Sequence, residues 1–245
     1  MSGILNVAAY RFVDIADGPT LRERLLASAG AVSLKGTVLL APEGINLFLA
    51  GRPAAVHRWL DALQQDERFA ALPVRESWSE RPPFGRLRVR LKREIIRMDR
   101  PTVQPAQGRA PSVDAPTLAR WLAQGRCDQG RPLLMLDTRN AFEVDEGAFD
   151  AAADWRLQRF GDFPQALECH RDALAGHTVV SYCTGGIRCE KAALWMRDQG
   201  LPHVLQLDGG ILGYFAQVPG APHWHGRCVV FDERGALDPG LRAAP

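Results

Sequence analysis

The sequence predicts an α/β protein of two domains, a ferredoxin-like α+β domain followed by an α/β domain with a mainly parallel sheet. Strands and helices follow the order β-α-β-β-α-β across residues 1–100. Beyond residue 116, short apolar strands alternate with helices, which is the pattern of a parallel sheet. The 245 residues, 46% hydrophobic and 24% charged, have the length and composition of two globular domains.

The elements of the first domain follow from the spacing of its apolar residues. Alternation predicts strands, helical spacing predicts helices, and Pro42-Glu43-Gly44 predicts the turn of a hairpin. The last predicted strand alternates apolar and basic residues, as expected when one face is buried. The predicted elements are strands at 6–15, 36–41, 45–50 and 87–92, and helices around 21–26 and 54–63.

A stretch rich in Pro, Gln, Gly, Ala and Ser separates the two domains. It spans residues 101–116 and has no apolar periodicity, which predicts a linker. We therefore expect a first domain at 1–100, a second at 117–234 and a flexible tail at 235–245.

The second domain contains three short apolar runs, at 133–137, 179–182 and 204–207, that are typical of buried parallel strands. Residues 117–123 and 190–199 are predicted helices. Cys183 follows the middle run and precedes a helix, so it is predicted to lie at the carboxyl end of the sheet. Open α/β sheets bind their ligands at that end.

Composition excludes several classes of protein. The net charge of +2 provides no concentrated basic field, so any site for a polyanion must be a local patch. Five scattered cysteines do not form the framework of a secreted disulfide protein. Because there is no leader pattern and no run near the ~20 apolar residues of a membrane helix, we expect a cytoplasmic protein without membrane contact. The sequence identifies no protein partner.

One loop combines the residues that an activated thiolate needs: Cys183-Thr184-Gly185-Gly186-Ile187-Arg188. Gly185 and Gly186 permit positive φ, which turns successive backbone N–H groups inward, and Arg188 supplies a cation. Such surroundings lower the pKa of a cysteine from ~8.5 by one to several units. The alternative is a buried packing cysteine. The two glycines and the arginine favour a catalytic Cys183.

These residues resemble the rhodanese family, whose catalytic loop begins with cysteine and commonly ends in arginine. Asp137-Thr138-Arg139 with Glu143 resembles the Asp-x-Arg...Glu element of that family, and residues 208–211 resemble its Gly-Gly segment. We interpret Asp137, Arg139 and Glu143 as structural supports that orient one another and hold loops, with catalysis as the minority interpretation.

The resemblance narrows when residues 36–46, which read GTVLLAPEGIN, are included. Over about residues 7–232 the chain resembles the rhodanese-like tRNA uridine hydroxylase family. The resemblance implies oxygen-dependent 5-hydroxylation of wobble uridine, with tRNA as partner and molecular oxygen as co-substrate; it does not identify the electron source. Addition of the Cys183 thiolate to C6 of uracil would make C5 able to attack an electrophilic oxygen.

Two other functions stay open. In a rhodanese-type sulfurtransferase, Cys183 would carry a persulfide and pass its sulfur to a nucleophile. A non-enzymatic RNA- or protein-binding module is disfavoured because Cys183 and Arg188 are both present. Cys189 could resolve a sulfenate, disulfide or persulfide on Cys183, or it could simply be buried in the first turn of a helix.

The sequence identifies no cofactor and no metal site. It contains no Gly-x-Gly-x-x-Gly fingerprint and no paired-histidine and carboxylate set for iron. His223 and His225 lack a third ligand and are interpreted as surface or packing residues.

A basic run near the end of the first domain is the candidate for contact with RNA phosphates. Nearby Trp78 and Phe84 could stack on unpaired bases. An edge strand that charge protects from aggregation is the equally weighted alternative. The candidate residues are Arg86, Arg88, Arg90, Lys92 and Arg93.

Overall fold

The computed structural model describes residues 3–243, which divide into two compact units. The first unit runs to Arg97 and also contains Asp232–Arg234. The second unit contains Met98–Phe231 and residues 235–243. Each unit has its own hydrophobic core.

The first unit is a five-stranded sheet covered by two helices. The strands lie in the order β4-β1-β3-β2-β5, in which β5 is parallel to β2 and the other pairs are antiparallel. The elements are β1 (Ile4–Phe12), α1 (Gly18–Ala31), β2 (Lys35–Ala41), β3 (Gly44–Gly51), α2 (Pro53–Gln64), β4 (Val74–Ser79) and β5 (Leu87–Leu91).

Both helices bury their apolar stripes against one face of this sheet. Leu21 and Leu25 of α1, with Trp59 and Leu63 of α2, belong to the same core as Leu47 of the central strand. The predicted helices and the predicted hairpin are therefore confirmed, and the ferredoxin-like order is present.

The prediction gave the wrong strand as the last element of the ferredoxin-like order. That place belongs to β4, which pairs with β1, whereas the predicted strand at 87–92 forms an additional edge strand beside β2. The alternation of β4 is weak because no side chain in it is fully buried, which is a consequence of its edge position.

The short segment Asp232–Arg234 completes the first unit. Glu233 N–H donates to the Pro83 carbonyl at 3.0 Å, and Arg234 donates to Ser77 Oγ at 2.8 Å. Arg234 also forms an ion pair with Asp232 at 2.6 Å.

The second unit is built on a parallel sheet with the strand order β6-β11-β10-β7-β9. Its elements begin with β6 (Ser112–Val113), α3 (Ala115–Gln124), β7 (Leu133–Asp137), α4 (Ala141–Glu146), β8 (Gly147–Phe149), β9 (Ala153–Asp154) and α5 (Phe163–His170). They continue with β10 (Thr178–Tyr182), α6 (Ile187–Asp198), β11 (Val204–Leu207), α7 (Gly210–Gln217), β12 (Trp224–Gly226), β13 (Cys228–Val229) and β14 (Ala236–Leu237).

Strand β10 is the centre of this sheet, and all five of its residues are buried. A continuous apolar run is what a strand with neighbours on both sides and helices on both faces requires. The three predicted strands of this domain are confirmed, and β7 and β11 have the predicted bounds.

The domain bounds differ from the predicted ones at two places. The predicted linker at 101–116 contains β6, which pairs with β11, and the first residues of α3. The predicted tail at 235–245 contains β14, whose Ala236 and Leu237 are buried against β13. Both strands have only two residues, which is too short for alternation to reveal them.

No helix within residues 3–243 is both long enough and apolar enough to span a bilayer.

Candidate active site around Cys183

The loop after β10 turns its backbone toward the sulfur of Cys183. Gly186 has φ of 100° and caps α6, and its N–H donates to Cys183 Sγ at 3.1 Å. The backbone N–H of Arg188 also helps to lower the pKa of this thiol. The predicted amide nest is therefore present at the start of α6, although the catalytic role of Cys183 stays a prediction.

The surroundings of Cys183 favour its ionised form. Burial of the side chain alone would raise the pKa of the thiol. A hydrogen bond from Cys189, the charge of Arg188 and the two backbone N–H groups outweigh burial and hold the pKa of Cys183 below its ordinary value. Cys183 is thus stabilised as a thiolate, the reactive form of a cysteine.

Cys189 is the protonated partner in this pair of sulfurs. Burial and the neighbouring Cys183 raise the pKa of Cys189 well above its ordinary value, so its S–H stays available to donate to the thiolate. Cys189 lies in the first turn of α6, and its sulfur is 3.7 Å from Thr138 Oγ1. Both roles considered for Cys189 agree with this position, since it is buried and also influences the pKa of Cys183.

Arg188 is held by Glu143 in a two-point ion pair. Its two terminal nitrogens donate to the Glu143 carboxylate at 2.6 Å and 2.7 Å. Glu143 also accepts the N–H of Asn140 at 3.1 Å, so a capping box at the start of α4 fixes the carboxylate. The Arg188 contacts lower the pKa of Glu143, although burial opposes them. The guanidinium therefore acts on Cys183 through its charge.

Asp137 and Arg139 form a second buried ion pair below the loop. Arg139 donates to Asp137 at 2.5 Å, to the carbonyl of Gly147 at 2.6 Å and to the carbonyl of Glu143 at 3.1 Å. These contacts join the end of β7 to both ends of α4. They agree with the interpretation of Asp137 and Arg139 as structural supports.

Helix α7 approaches the loop so closely that only glycine fits at its first residue. A Cβ on Gly210 would lie 2.4 Å from the Cys183 carbonyl oxygen and 2.8 Å from the Gly186 nitrogen. Next to it, the N–H of Ile211 donates to the same carbonyl at 2.9 Å. The Gly-Gly segment noted in the sequence therefore supports the back of the Cys183 loop.

Sequence reasoning missed two residues that lie beside the loop. Cys228 is buried next to Thr184, and burial raises the pKa of Cys228 to about 12. The ring of Phe231 lies over the Arg188 guanidinium, with 5.9 Å between the guanidinium carbon and the ring centroid. Both come from the hairpin of β13 and β14, more than 40 residues after Cys183. Only tertiary structure brings them near, and no local sequence pattern marks them.

The predicted RNA-binding residues all belong to the first unit. Arg88 and Arg90 point away from the core on the edge strand β5, on either side of the buried Val89. All five candidates have exposed side chains: Arg86, Arg88, Arg90, Lys92 and Arg93.

Among residues 3–243, no group of three or more His, Cys, Asp or Glu side chains is arranged to hold a metal ion. His223 and His225 instead both contact the carboxylate of Asp150, across the pair of strands β8 and β12.

Comparison with known proteins agrees with both halves of the fold. Residues 4–95 match the UPF0176 acylphosphatase like domain, and residues 118–217 match the rhodanese-like domain. The chain is 63% identical over 243 residues to a tRNA uridine(34) hydroxylase of Variovorax paradoxus, covering 99% of this chain and 92% of the relative. It is 61% identical to a protein of the same name from Bordetella petrii, covering 100% of this chain and 96% of the relative.

The alignments cover nearly the whole of each chain and therefore span both domains, including the region of the Cys183 loop. The chain therefore belongs to the tRNA uridine(34) hydroxylase family.

Proposed function

We propose that this protein hydroxylates C5 of uridine 34 in tRNA and that Cys183 forms a transient covalent bond to the uracil. The observation that carries the proposal is the hydrogen bond from the Gly186 N–H to Cys183 Sγ at 3.1 Å, in a chain 63% identical to a tRNA uridine(34) hydroxylase of Variovorax paradoxus. The proposal places the reaction in the cytoplasm, on tRNA.

The chemistry requires a nucleophile that can both attack and leave. The Cys183 thiolate adds to C6 of uracil, and the electron pair of the C5–C6 double bond moves toward C5 and O4. C5 then attacks an electrophilic oxygen. Loss of the C5 proton and departure of the thiolate restore the ring as 5-hydroxyuridine. Covalent catalysis of this kind divides one difficult step into easier ones.

Molecular oxygen is the proposed oxidant. One of its atoms enters the uracil and the other leaves as water, which consumes two electrons and two protons from a separate reductant. Arg188 and the loop amides stabilise the thiolate before it adds and after it leaves, so a low pKa of Cys183 serves both steps.

The edge strand β5 is the proposed contact for tRNA phosphates. Arg88 and Arg90 form a basic row on β5. An open cleft of about 550 Å³ in the first unit is lined by Phe84, Arg86 and Arg88 together with the acidic Asp232 and Glu233. A row of cations beside an aromatic ring suits a flexible single strand, whose phosphates and bases are both accessible.

Nucleoside mass spectrometry of tRNA tests the proposed activity. Cells that lack the gene should lose 5-hydroxyuridine derivatives at position 34, and the wild-type gene should restore them. Cys183→Ser should not restore them, whereas Cys169→Ser, which changes an exposed cysteine, should. Unchanged tRNA in the deletion strain, together with thiosulfate-to-cyanide sulfur transfer by the purified protein, would select the sulfurtransferase instead.

We further propose that Cys189 captures an oxidised Cys183. A hydroperoxide would convert the Cys183 thiolate to a sulfenic acid: the sulfur takes the terminal hydroxyl as the O–O bond breaks, and the remaining oxygen leaves as an alcohol or water. The Cys189 sulfur then attacks the sulfenic sulfur, its proton passes to the departing hydroxide, and water leaves as the disulfide forms. The position of the two cysteines supports this step, because Cys183 lies just before α6, Cys189 lies in its first turn, and each side chain shifts the pKa of the other.

Tryptic mapping tests the disulfide directly. Trypsin cuts after Arg171, Arg188 and Lys191, so Cys183 and Cys189 fall in separate peptides, 172–188 and 189–191. After treatment with one equivalent of peroxide, the two peptides should be linked in the wild type and separate again after addition of dithiothreitol. Overoxidised Cys183 without the link would contradict the proposal, and Cys189→Ser should show that same overoxidation.

A further inference from the structure

We propose that Phe231 is the surface on which the target uracil stacks as it enters the active site; this rests on the proposed function. The ring of Phe231 lies over the guanidinium of Arg188, with 5.9 Å between the guanidinium carbon and the ring centroid. Phe231 is 53% exposed, whereas Arg188 is buried. One face of the ring is therefore occupied by a cation of the active site, and the rest of the side chain is accessible.

Because Cys183 is buried, the uracil needs a place to bind before it reaches the sulfur. Cys183 has an exposed fraction of 0%, so a base cannot meet the sulfur by simple collision at the surface. The exposed ring of Phe231 packs against Arg188, the residue that stabilises the thiolate. It therefore gives the base a place to bind before the base reaches the sulfur. Proteins recognise unpaired bases of RNA loops by stacking them on aromatic rings in this way.

The backbone before Phe231 is fixed to the catalytic loop. Thr184 Oγ1 donates to the carbonyl of Val229 at 3.3 Å, and Val230 N–H donates to the carbonyl of Gly235 at 2.9 Å. Phe231 thus lies in the loop of a hydrogen-bonded hairpin, between β13 and β14. A backbone held in this way loses little conformational freedom when a base stacks on the ring, which favours binding.

Exposure alone would not carry the proposal, because single exposed apolar residues are common on protein surfaces. Phe142 is also 53% exposed but makes no ring or cation contact among the described residues. It therefore provides a matched control for Phe231.

The test is a double-mutant cycle that combines a substitution of Phe231 in the protein with removal of the base at position 34 of the tRNA. Affinity would be measured without oxygen, for wild type and Phe231→Leu, with tRNA that carries uracil at position 34 and with tRNA that is abasic there. Wild type should bind the uracil form about 10-fold more tightly, since stacking of one base contributes that order of affinity. Phe231→Leu should bind both forms equally, at the wild-type affinity for abasic tRNA. Phe231→Tyr and Phe142→Leu should retain the preference.

A structural role for Phe231 would give a different result. If the ring only packs on Arg188, Phe231→Leu should keep the full preference for uracil and should raise the pKa of Cys183 in an alkylation profile. That outcome would overturn the proposal. With oxygen supplied, Phe231→Leu should raise KM for tRNA more than it lowers kcat. Wild type that forms no 5-hydroxyuridine in the same assay would instead show that the proposed function itself is wrong.

Discussion

The carboxylate of Glu143 contacts both terminal nitrogens of Arg188, at 2.6 Å and 2.7 Å, and so fixes the cation that lies beside Cys183. Glu143 has an exposed fraction of 0%, and the side chain of Arg188 is only 6% exposed. If one partner is removed, water therefore cannot solvate the charge of the other. The pair should affect the stability of the protein as well as the reactivity of Cys183.

Removal of the Glu143 charge should destabilise the protein strongly. Glu143→Gln leaves a buried guanidinium without its counterion, and breaking a buried pair in this way costs about 3 kcal/mol or more. Urea unfolding at neutral pH would measure the loss. Arg156→Gln breaks exposed pairs with Asp145 and Asp154 and should cost much less, because water screens them. Equal losses in the two variants would contradict the prediction.

The contribution of Glu143 should depend on pH in a defined direction. Its contacts with Arg188 lower the pKa of the carboxyl in the folded protein below the ordinary value of 4.5. The stabilisation is therefore complete above about pH 4.5 and is lost as pH falls through the lower, folded pKa. The difference in unfolding free energy between wild type and Glu143→Gln should shrink as the pH is lowered below that value. A difference that is constant or grows would refute this linkage.

The pKa of Cys183 should rise when the S–H group of Cys189 is removed. Cys189→Ala deletes the S–H group that favours the thiolate, and we expect the pKa to increase by about one unit. The rate of iodoacetamide alkylation of peptide 172–188 against pH would report the midpoint. Cys189→Ser keeps a donor and should lie nearer the wild type. An unchanged midpoint in Cys189→Ala would show that Arg188 and the backbone amides suffice.

A side chain on Gly210 should displace the catalytic loop. Gly210→Ala places a Cβ 2.4 Å from the Cys183 carbonyl oxygen, and φ of +60° adds backbone strain. We expect loss of hydroxylation and a Cys183 pKa closer to the ordinary value, measured by the same alkylation profile. Gly176→Ala also has positive φ, at +80°, but meets open space, so it should cost about 1 kcal/mol of stability and leave activity intact. A normal thiolate in Gly210→Ala would contradict the prediction.

Neutralising the basic row should weaken tRNA binding in a salt-dependent way. The double change Arg88→Gln with Arg90→Gln removes two contacts to phosphates, which should reduce the slope of log affinity against log salt by about 1.5. Arg126→Gln changes an exposed arginine of the second unit and should leave the slope unaltered. An unchanged slope in the double variant would favour the protective edge strand over the RNA contact.

Much of the fold could be predicted because its signals are local. The apolar run before Cys183 indicates a strand, and the two glycines after Cys183 indicate a turn. These signals lie within ten residues and predict β10 and the start of α6. The place of β5 could not be found in this way. Its alternation identifies a strand, but pairing with β2 depends on contacts between residues about 50 positions apart, such as Thr37 and Arg88.

In the active site, too, the sequence predicts contacts within one loop but not contacts between distant residues. Cys183 and the Gly186 amide belong to one loop, so the sequence predicts their relationship. The pairing of Glu143 with Arg188 spans 45 residues, and the approach of Phe231 to Arg188 spans 43. Such contacts are set by how helices and hairpins pack on the sheet, and composition and spacing carry no signal for them.

The three residues Asp232–Arg234 have a consequence for how the chain matures. The first compact unit includes them, although more than 130 residues of the second unit are synthesised before them. The N-terminal half therefore cannot acquire the bonds to Ser77 and Pro83 on the ribosome until residues 98–231 have been synthesised. Gene fragments that end near residue 97 would yield a half-protein that lacks one of its own pieces.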